Sequence, residues 1–91
     1  MKLTGKIALV TGGSRGIGRA ISESLIRAGA KVAITGRDRQ TLENTAGTIG
    51  AHAIEADVSK EQDVERTYKE TLDTFGDLDV LINNAGVGVF K

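Results

Sequence analysis

The sequence predicts an α/β protein in which four parallel strands, in the order 3-2-1-4, are joined by three helices. Short runs of apolar and β-branched residues alternate with segments of helical periodicity, the pattern of repeated βαβ units around a parallel sheet. A glycine-rich segment, T-G-G-S-R-G-I-G at residues 11–18, joins the first apolar run to the first helical pattern. Right-handed crossovers then place the fourth strand beside the first, on the side away from the second.

The strands and the first helix follow from local patterns. The strands are predicted at residues 7–10, 31–35, 51–56 and 80–82. The first helix begins near Ile17 and repeats Ile17, Ile21 and Leu25 at four-residue intervals on the face predicted to meet the sheet. Gly29 is predicted to end this helix, because glycine adopts the left-handed conformation of a helix C-cap at little cost.

The second and third helices are predicted from weaker signals. The apolar residues of the second helix are Leu42, Ala46 and Ile49. Gly50 is predicted to end it. Ser59 and Gln62 have the spacing of a capping box for the third helix, which is predicted to stop at Gly76. The apolar face of the third helix is predicted to be Val64, Tyr68, Leu72 and Phe75.

The glycine-rich segment has the features of a phosphate-binding loop. Where a strand feeds a helix, unpaired backbone N–H groups and the positive end of the helix dipole attract a pyrophosphate. Ser14 can donate a hydroxyl hydrogen bond to phosphate, and Arg15 can pair with two phosphate oxygens. Glycines let the chain turn out of the strand and let main chain and ligand approach closely. The four glycines are Gly12, Gly13, Gly16 and Gly18.

Two competing interpretations of this loop are weaker. Gly13 and Gly18 have the separation of the glycines of a P-loop, which requires a lysine and a hydroxyl residue next. The next two residues, however, are Arg19 and Ala20. The G-x-G-x-x-G fingerprint is not strictly met either, since Ile21 takes the place of its last glycine. A turn that needs glycine only for its geometry is the alternative, but four glycines in seven residues exceed that need.

A second motif, N-N-A-G at residues 83–86, follows the apolar run of the fourth predicted strand. With T-G-x-x-x-G-x-G at residues 11–18 and Asp57-Val58 after the third strand, it makes the chain resemble a short-chain dehydrogenase/reductase. The resemblance covers the whole chain but only the first part of such an enzyme. It implies a partial Rossmann-type doubly wound sheet, in which residues 1–91 are the N-terminal portion of a single dinucleotide-binding domain.

The resemblance also assigns roles to individual residues. Asp57 borders the adenine through a polar contact to its amino group, and Val58 through its main chain and apolar bulk; a turn or helix-cap role for Asp57 is compatible with this. Residues 84–86 resemble the segment that touches the adenosine ribose, whereas Asn83 is expected to tie neighbouring strands together. The predicted cofactor-binding residues are Gly12, Gly13, Ser14, Arg15, Gly16, Ile17, Gly18, Arg37, Asp57, Val58, Asn84, Ala85 and Gly86.

Cofactor choice depends on the residues that follow the second strand. A carboxylate at the first position would accept hydrogen bonds from the adenosine ribose and select NAD, but that position is Gly36. Arg37 comes next and can pair with a ribose 2′-phosphate, which Arg15 can approach from the other side. The residues therefore favour NADP(H) over NAD(H). Asp38 is counter-evidence, because it lies about twenty residues beyond the fingerprint, where an acidic ribose ligand is expected, although one or two residues late. In the alternative, Arg37 is a solvated turn residue and Asp38 caps the second helix.

No catalytic residue is predicted within the sequence. The family's serine and Tyr-x-x-x-Lys pair lie beyond N-N-A-G, and here Leu72 stands four residues after Tyr68. The expectation is a truncated or excised N-terminal part of an oxidoreductase acting on a carbonyl or alcohol, with little or no turnover of its own. One alternative is a complete, non-catalytic dinucleotide-binding or sensor module. Another is a structural fragment that self-associates through its exposed fourth strand.

Composition limits the remaining function classes. Twelve basic residues balance twelve acidic ones, so no general field favours nucleic acid or an anionic membrane. Cysteine is absent, as a reducing compartment permits, and His52 has no second metal ligand at a useful spacing. No apolar run approaches the ~20 residues that cross a bilayer. A cytoplasmic homo-oligomer with no metal, nucleic-acid or membrane partner is expected.

Overall fold

The computed structural model describes residues 2–84, which form a four-stranded parallel sheet between two helical layers. The strands are β1 (Ile7–Thr11), β2 (Lys31–Gly36), β3 (His52–Glu55) and β4 (Val80–Asn83). The helices are α1 (Gly16–Arg27), α2 (Arg39–Ile49) and α3 (Glu61–Phe75). The strand order is β3-β2-β1-β4, which confirms the fold class and the order predicted from the sequence.

The sheet is apolar on both faces because both are covered, as is usual for parallel sheets. Alternate residues of each strand point to opposite sides. One face packs against α1 and α2 through the core residues Ala8, Val10, Val32, Ile34, Ala30, Leu42 and Ala46. The other face packs against α3 and the chain that follows it through Leu9, Ala33, Ile54, Phe75 and Leu78. Because all four strands are parallel, their carboxyl ends lie at one edge of the sheet.

The register between β1 and β4 is set by hydrogen bonds just before β4. Asp79 donates its backbone N–H to the carbonyl of Ile7 at 2.8 Å, and its Oδ2 accepts the backbone N–H of Ile7 at 2.9 Å. Leu9 of β1 then lies opposite Ala33 of β2 and Leu81 of β4. This register brings the ends of β1 and β4 level.

The buried face of α1 differs from the predicted one. Ile17 is 72% exposed, whereas Gly18 and Ser22 are buried and are followed on the same face by Leu25 and Ile26. Leu25 packs against the core as predicted. At the start of the helix the face is displaced by one residue, because α1 approaches the sheet there through small residues, a contact that apolar periodicity does not reveal. The predicted end of the helix is confirmed: Gly29 has φ 101°.

The predicted capping box of α3 is wrong, and its predicted face is only partly right, since Phe75 packs against the sheet but Tyr68 and Leu72 do not lie in the core. The Ser59 hydroxyl donates to Oδ1 of Asp57 at 2.6 Å instead of capping the helix, whose N-cap is Lys60. The buried residues of α3 are Thr67 and Thr71, while Tyr68 and Leu72 are 37% and 46% exposed. Thr71 donates its hydroxyl to the carbonyl of Thr67 at 2.8 Å, so a threonine is tolerated in the core.

Two glycines of α2 give a matched test of the difference between a glycine inside a helix and a glycine that ends one. An added Cβ meets nothing within 4 Å at Gly47, in the α2 interior, or at Gly50, which ends α2 with φ 83°. Gly47→Ala is expected to raise the free energy of unfolding by about 0.5–1 kcal/mol, because glycine is costly inside a helix. Gly50→Ala is expected to lower it by about 1 kcal/mol, because alanine disfavours the left-handed region. Urea denaturation followed by circular dichroism measures both, and changes of the same sign would contradict the assignment.

Candidate functional site

A cleft of about 980 Å³ opens at the carboxyl edge of the sheet. Five parts of the chain form its walls: the loop after β1, the turn after β2, the loop after β3, one side of α3 and the end of β4. This is where parallel α/β sheets place their ligands. The predicted site residues that line the cleft are Gly12, Ser14, Arg15, Arg37, Asp57, Val58 and Asn84.

The remaining predicted site residues have other positions. Gly13 and Gly18 are buried behind the cleft wall, whereas Gly16 and Ile17 are exposed at the start of α1. Ala85 and Gly86 lie outside the described residues. The structure therefore brings the glycine loop and the first residues of N-N-A-G to one edge of the sheet, as the predicted topology requires.

The first half of the glycine loop is attached to β2. Gly12, with φ 69°, donates its N–H to the Thr35 hydroxyl at 3.1 Å, and Gly13 donates its N–H to the Thr35 carbonyl at 3.1 Å. These two amides are therefore already paired. The donors offered to an anion include those of the first turn of α1, residues 16–18, since the first N–H groups of a helix have no acceptor within it.

Gly13 and Gly18 are required by packing. A Cβ at Gly13 would lie 2.6 Å from Cγ2 of Ile34. A Cβ at Gly18 would collide with the carbonyl oxygen of Gly12 and lie 2.7 Å from Nδ2 of Asn84. The backbone atoms of Gly12 that this Cβ would meet have little freedom to move. The absence of a side chain at Gly18 thus lets the start of α1, the loop and the end of β4 approach one another.

The two asparagines after β4 contact β1 and its loop. Thr11 donates its hydroxyl to Oδ1 of Asn83 at 3.2 Å, which gives Asn83 the expected role of tying neighbouring strands together. Asn84 donates its side-chain amide to the carbonyl of Gly12 at 3.2 Å. Asn84 therefore fixes the glycine loop, and its contact with a ligand ribose stays a prediction.

Asp38 is the N-cap of α2, as the alternative interpretation of this residue holds. Its Oδ1 accepts the N–H groups of Gln40 at 3.1 Å and Thr41 at 3.4 Å, and its Oδ2 accepts the Thr41 hydroxyl at 3.0 Å. The hydrogen bond from the Thr41 hydroxyl is the main cause that lowers the pKa of Asp38 below its ordinary 3.8, and the charge of Arg15 adds to it. Both oxygens of Asp38 are thus directed to the helix.

Asp57 forms a turn at the other side of the cleft. Its Oδ1 accepts the N–H of Ser59 at 3.0 Å and the Ser59 hydroxyl at 2.6 Å. The hydroxyl bond is the main cause that lowers the pKa of Asp57, and the guanidinium of Arg37 lowers it further. The rim of the cleft therefore carries two cations, Arg15 and Arg37, each near an ionised carboxylate.

Two threonines that hold the glycine loop were missed in the sequence. Thr35 pairs with the amides of Gly12 and Gly13, and Thr45 donates its hydroxyl to the carbonyl of Ser14 at 2.6 Å. Thr35 is a polar residue at the end of the apolar run of β2, and this pattern could have predicted a hydrogen-bonding role for it. Thr45 stands in a polar stretch of α2 and has no such signal, since its partner lies 31 residues away.

The chain's lone histidine lies away from the cleft residues. His52 places Nε2 3.1 Å from Oε2 of Glu70, and its ring lies edge-on to Phe75 with a centroid separation of 5.9 Å. Within residues 2–84 no three His, Asp or Glu side chains are grouped to hold a metal ion. No helix in the same range has the length and apolarity to cross a membrane.

Comparison with known proteins gives concordant matches. The family model of the short chain dehydrogenases matches residues 6–91. Sorbitol dehydrogenase of Cereibacter sphaeroides is 45% identical over 89 residues, which cover 96% of this chain and 35% of that protein. The Pseudomonas aeruginosa RhlG/NADP active-site complex superimposes with a TM-score of 0.88 at 44% identity, covering 93% of this chain and 36% of the other.

A further solved structure, 3-ketoacyl-(acyl-carrier-protein) reductase of Brucella melitensis complexed with NADH, superimposes with a TM-score of 0.84 at 41% identity. The superimposed residues cover 88% of this chain and 34% of the Brucella melitensis protein. The chain thus spans about a third of the length of these relatives. The similarity lies in the part that contains the glycine loop.

The capping role of Asp38 predicts a change in acid stability. Because the pKa of Asp38 is lowered in the folded chain, its contribution is fully present above the unfolded pKa of about 3.9 and is lost as pH falls through the lower folded value. In urea denaturation below about pH 4, Asp38→Asn should lose less stability with falling pH than the unmodified chain. Thr41→Val, which removes the main cause of the shift, should flatten the same region. An unchanged slope in both variants would contradict the assignment.

Proposed function

Because the chain belongs to the short-chain dehydrogenase/reductase family, we propose that these residues bind the ADP half of NADP(H) in an oxidoreductase. The observation that carries this proposal is the meeting of the glycine loop with Asn84 beside the cleft at the carboxyl edge of the sheet. Relatives solved with NADP and with NADH share this fold. The donor set and the close approach permitted by Gly18 fit a dinucleotide.

The pyrophosphate is assigned to the start of α1. The N–H groups of residues 16–18 and the helix dipole supply donors and positive potential there. Gly16, with φ 61°, has open space around it, so a ligand can approach its main chain. The exposure of Ile17 fits an apolar contact with the ligand better than a place in the core.

The adenosine is assigned to the loops after β3 and β4. Asp57 uses Oδ1 for the turn with Ser59, which leaves Oδ2 for the adenine amino group. Val58 lines the same cleft and offers an apolar surface to the ring. Residues 84–86 would lie along the ribose, with Asn84 held in place by its bond to Gly12.

NADP(H) is preferred over NAD(H) in this proposal for two reasons. The position at which a carboxylate would select NAD is Gly36. A Cβ there would lie 3.1 Å from the Ser14 hydroxyl oxygen, so a larger residue would require Ser14 to shift. Asp38, the other carboxylate in reach, is engaged with the N-terminus of α2. Arg15 and Arg37 are left as partners for a 2′-phosphate.

When bound, the nicotinamide supplies or accepts a hydride, and the substrate of the whole protein would be a carbonyl or an alcohol. The sequence contains no Tyr-x-x-x-Lys pair, since Tyr68 is followed by Leu72. These residues therefore contribute cofactor binding, and turnover depends on groups outside them. A cytoplasmic location stays a prediction.

Calorimetric titration of the folded chain with NADPH and NADH tests the cofactor assignment. The chain should bind NADPH more tightly. Arg37→Gln should weaken NADPH binding by about tenfold, because a charge-assisted hydrogen bond is lost, and change NADH binding by less than about twofold. Arg39→Gln is the matched control, since the Arg39 side chain is 69% exposed and pairs with Glu55 at 3.0 Å. No binding to a folded sample, or equal losses for both dinucleotides, would refute the proposal.

Self-association is a second candidate property, favoured by a difference between the two edges of the sheet. At the β3 edge, Arg66 donates to the Glu55 carbonyl at 2.8 Å, and charged side chains surround the strand. Such groups discourage strand addition. In residues 2–84, β4 pairs only with β1, and Leu81 is 42% exposed beside Tyr68 in the cleft wall. A second copy would therefore add at β4.

Sedimentation of the chain over a range of concentrations measures this association. The sedimentation coefficient should rise with concentration for the unmodified chain. Leu81→Gln should weaken the association by about tenfold or less, since it removes one partly buried apolar contact. Ala20→Gln adds the same side chain at an exposed position on α1 and should leave the association unchanged. A monomer at every concentration would rule out this candidate.

A further inference from the structure

We propose that Thr45 is a positioning residue that sets the preference for NADP(H) by holding the peptide between Ser14 and Arg15. This inference rests on the proposed function. It concerns a residue of α2 that does not line the cleft and that has no role in the motifs of the sequence.

The contact that carries the proposal is short and buried. Thr45 donates its hydroxyl to the backbone carbonyl of Ser14 at 2.6 Å across 31 residues of sequence. Thr45 is 3% exposed and Ser14 is 9% exposed. Without the hydroxyl, a buried carbonyl would lose its partner, which the loop could restore only by moving toward another donor or toward water.

The orientation of one peptide follows from this bond. The peptide is trans, so its C=O and N–H groups point in opposite directions. Thr45 holds the carbonyl of Ser14 on the side of α2 and therefore directs the N–H of Arg15 away from α2. The same anchor holds the Ser14 side chain beside the end of β2, where a Cβ at Gly36 would be 3.1 Å from the Ser14 hydroxyl oxygen.

The effect is specific to one part of the cofactor because the loop has two separate anchors. Thr35 holds the amides of Gly12 and Gly13, and this anchor does not involve α2. Thr45 holds only the next segment, Ser14 and Arg15. Arg15 lines the same cleft as Arg37 and Asp38, the two residues between β2 and α2, so its charge lies on the side of that turn. That is the side assigned to the 2′-phosphate.

Three variants of α2 separate this role from a general structural one. Thr45→Val removes the hydroxyl and keeps the shape, and Thr45→Ser keeps the hydroxyl. Thr48→Val is the control, because the Thr48 hydroxyl bonds to the carbonyl of Asn44 at 2.8 Å on the exposed side of the same helix. Each variant and the unmodified chain are titrated with NADPH and with NADH by calorimetry, and their melting temperatures are measured without ligand.

Thr45→Val should weaken NADPH binding by about fivefold and NADH binding by less than about twofold, since one buried hydrogen bond is lost. Thr45→Ser and Thr48→Val should keep the unmodified ratio of the two affinities. A change of melting temperature with an unchanged ratio would show that Thr45 is only structural and would overturn the inference while leaving the proposed function standing. If the unmodified chain binds neither dinucleotide, the proposed function fails and the inference fails with it.

Should Thr45→Val not fold, Thr45→Ala provides the same test, because it also removes the hydroxyl and puts no methyl group in its place. The ratio of NADPH to NADH affinity is again the deciding quantity. A ratio equal to that of the unmodified chain overturns the inference, and a ratio lowered by about fivefold supports it.

Discussion

The arrangement of the site depends on the contacts made by the backbone of Gly12. Its N–H donates to Thr35 of β2, its carbonyl accepts the side-chain amide of Asn84, and Gly18 of α1 packs against the same carbonyl. Three elements and the loop after β1 therefore meet at one residue. Any side chain at Gly18 would separate α1 from the loop and displace the helix N-terminus from the edge of the sheet.

Charge at the cleft is local and balanced, which matches a chain with equal numbers of acidic and basic residues. Arg15 lowers the pKa of Asp38, and Arg37 lowers that of Asp57, although hydrogen bonds from Thr41 and Ser59 are the larger causes. The carboxylates are thus committed to a helix cap and a turn. Because hydrogen bonds within the protein occupy these carboxylates, the two guanidinium groups can attract an anionic ligand although the chain has no net positive charge.

Helix faces illustrate where pattern analysis fails in this protein. The spacing of Ile17, Ile21 and Leu25 suggested a face for α1, but the helix packs through Gly18 and Ser22, because close backbone approach favours small residues. In α3, Thr67 and Thr71 occupy the buried face in place of Tyr68 and Leu72. Periodicity measures where apolar residues recur, whereas packing also depends on size and on local hydrogen bonds.

The amino-acid sequence by itself determined the α/β class, the strand order, the helix ends at glycine and the proximity of the glycine loop to the N-N motif. These features follow from local periodicity and from the handedness of βαβ connections. Only the tertiary structure decided which loop amides are already paired and that Thr45 holds Ser14. Such contacts depend on the register and approach of elements distant in the chain, and no local pattern records them.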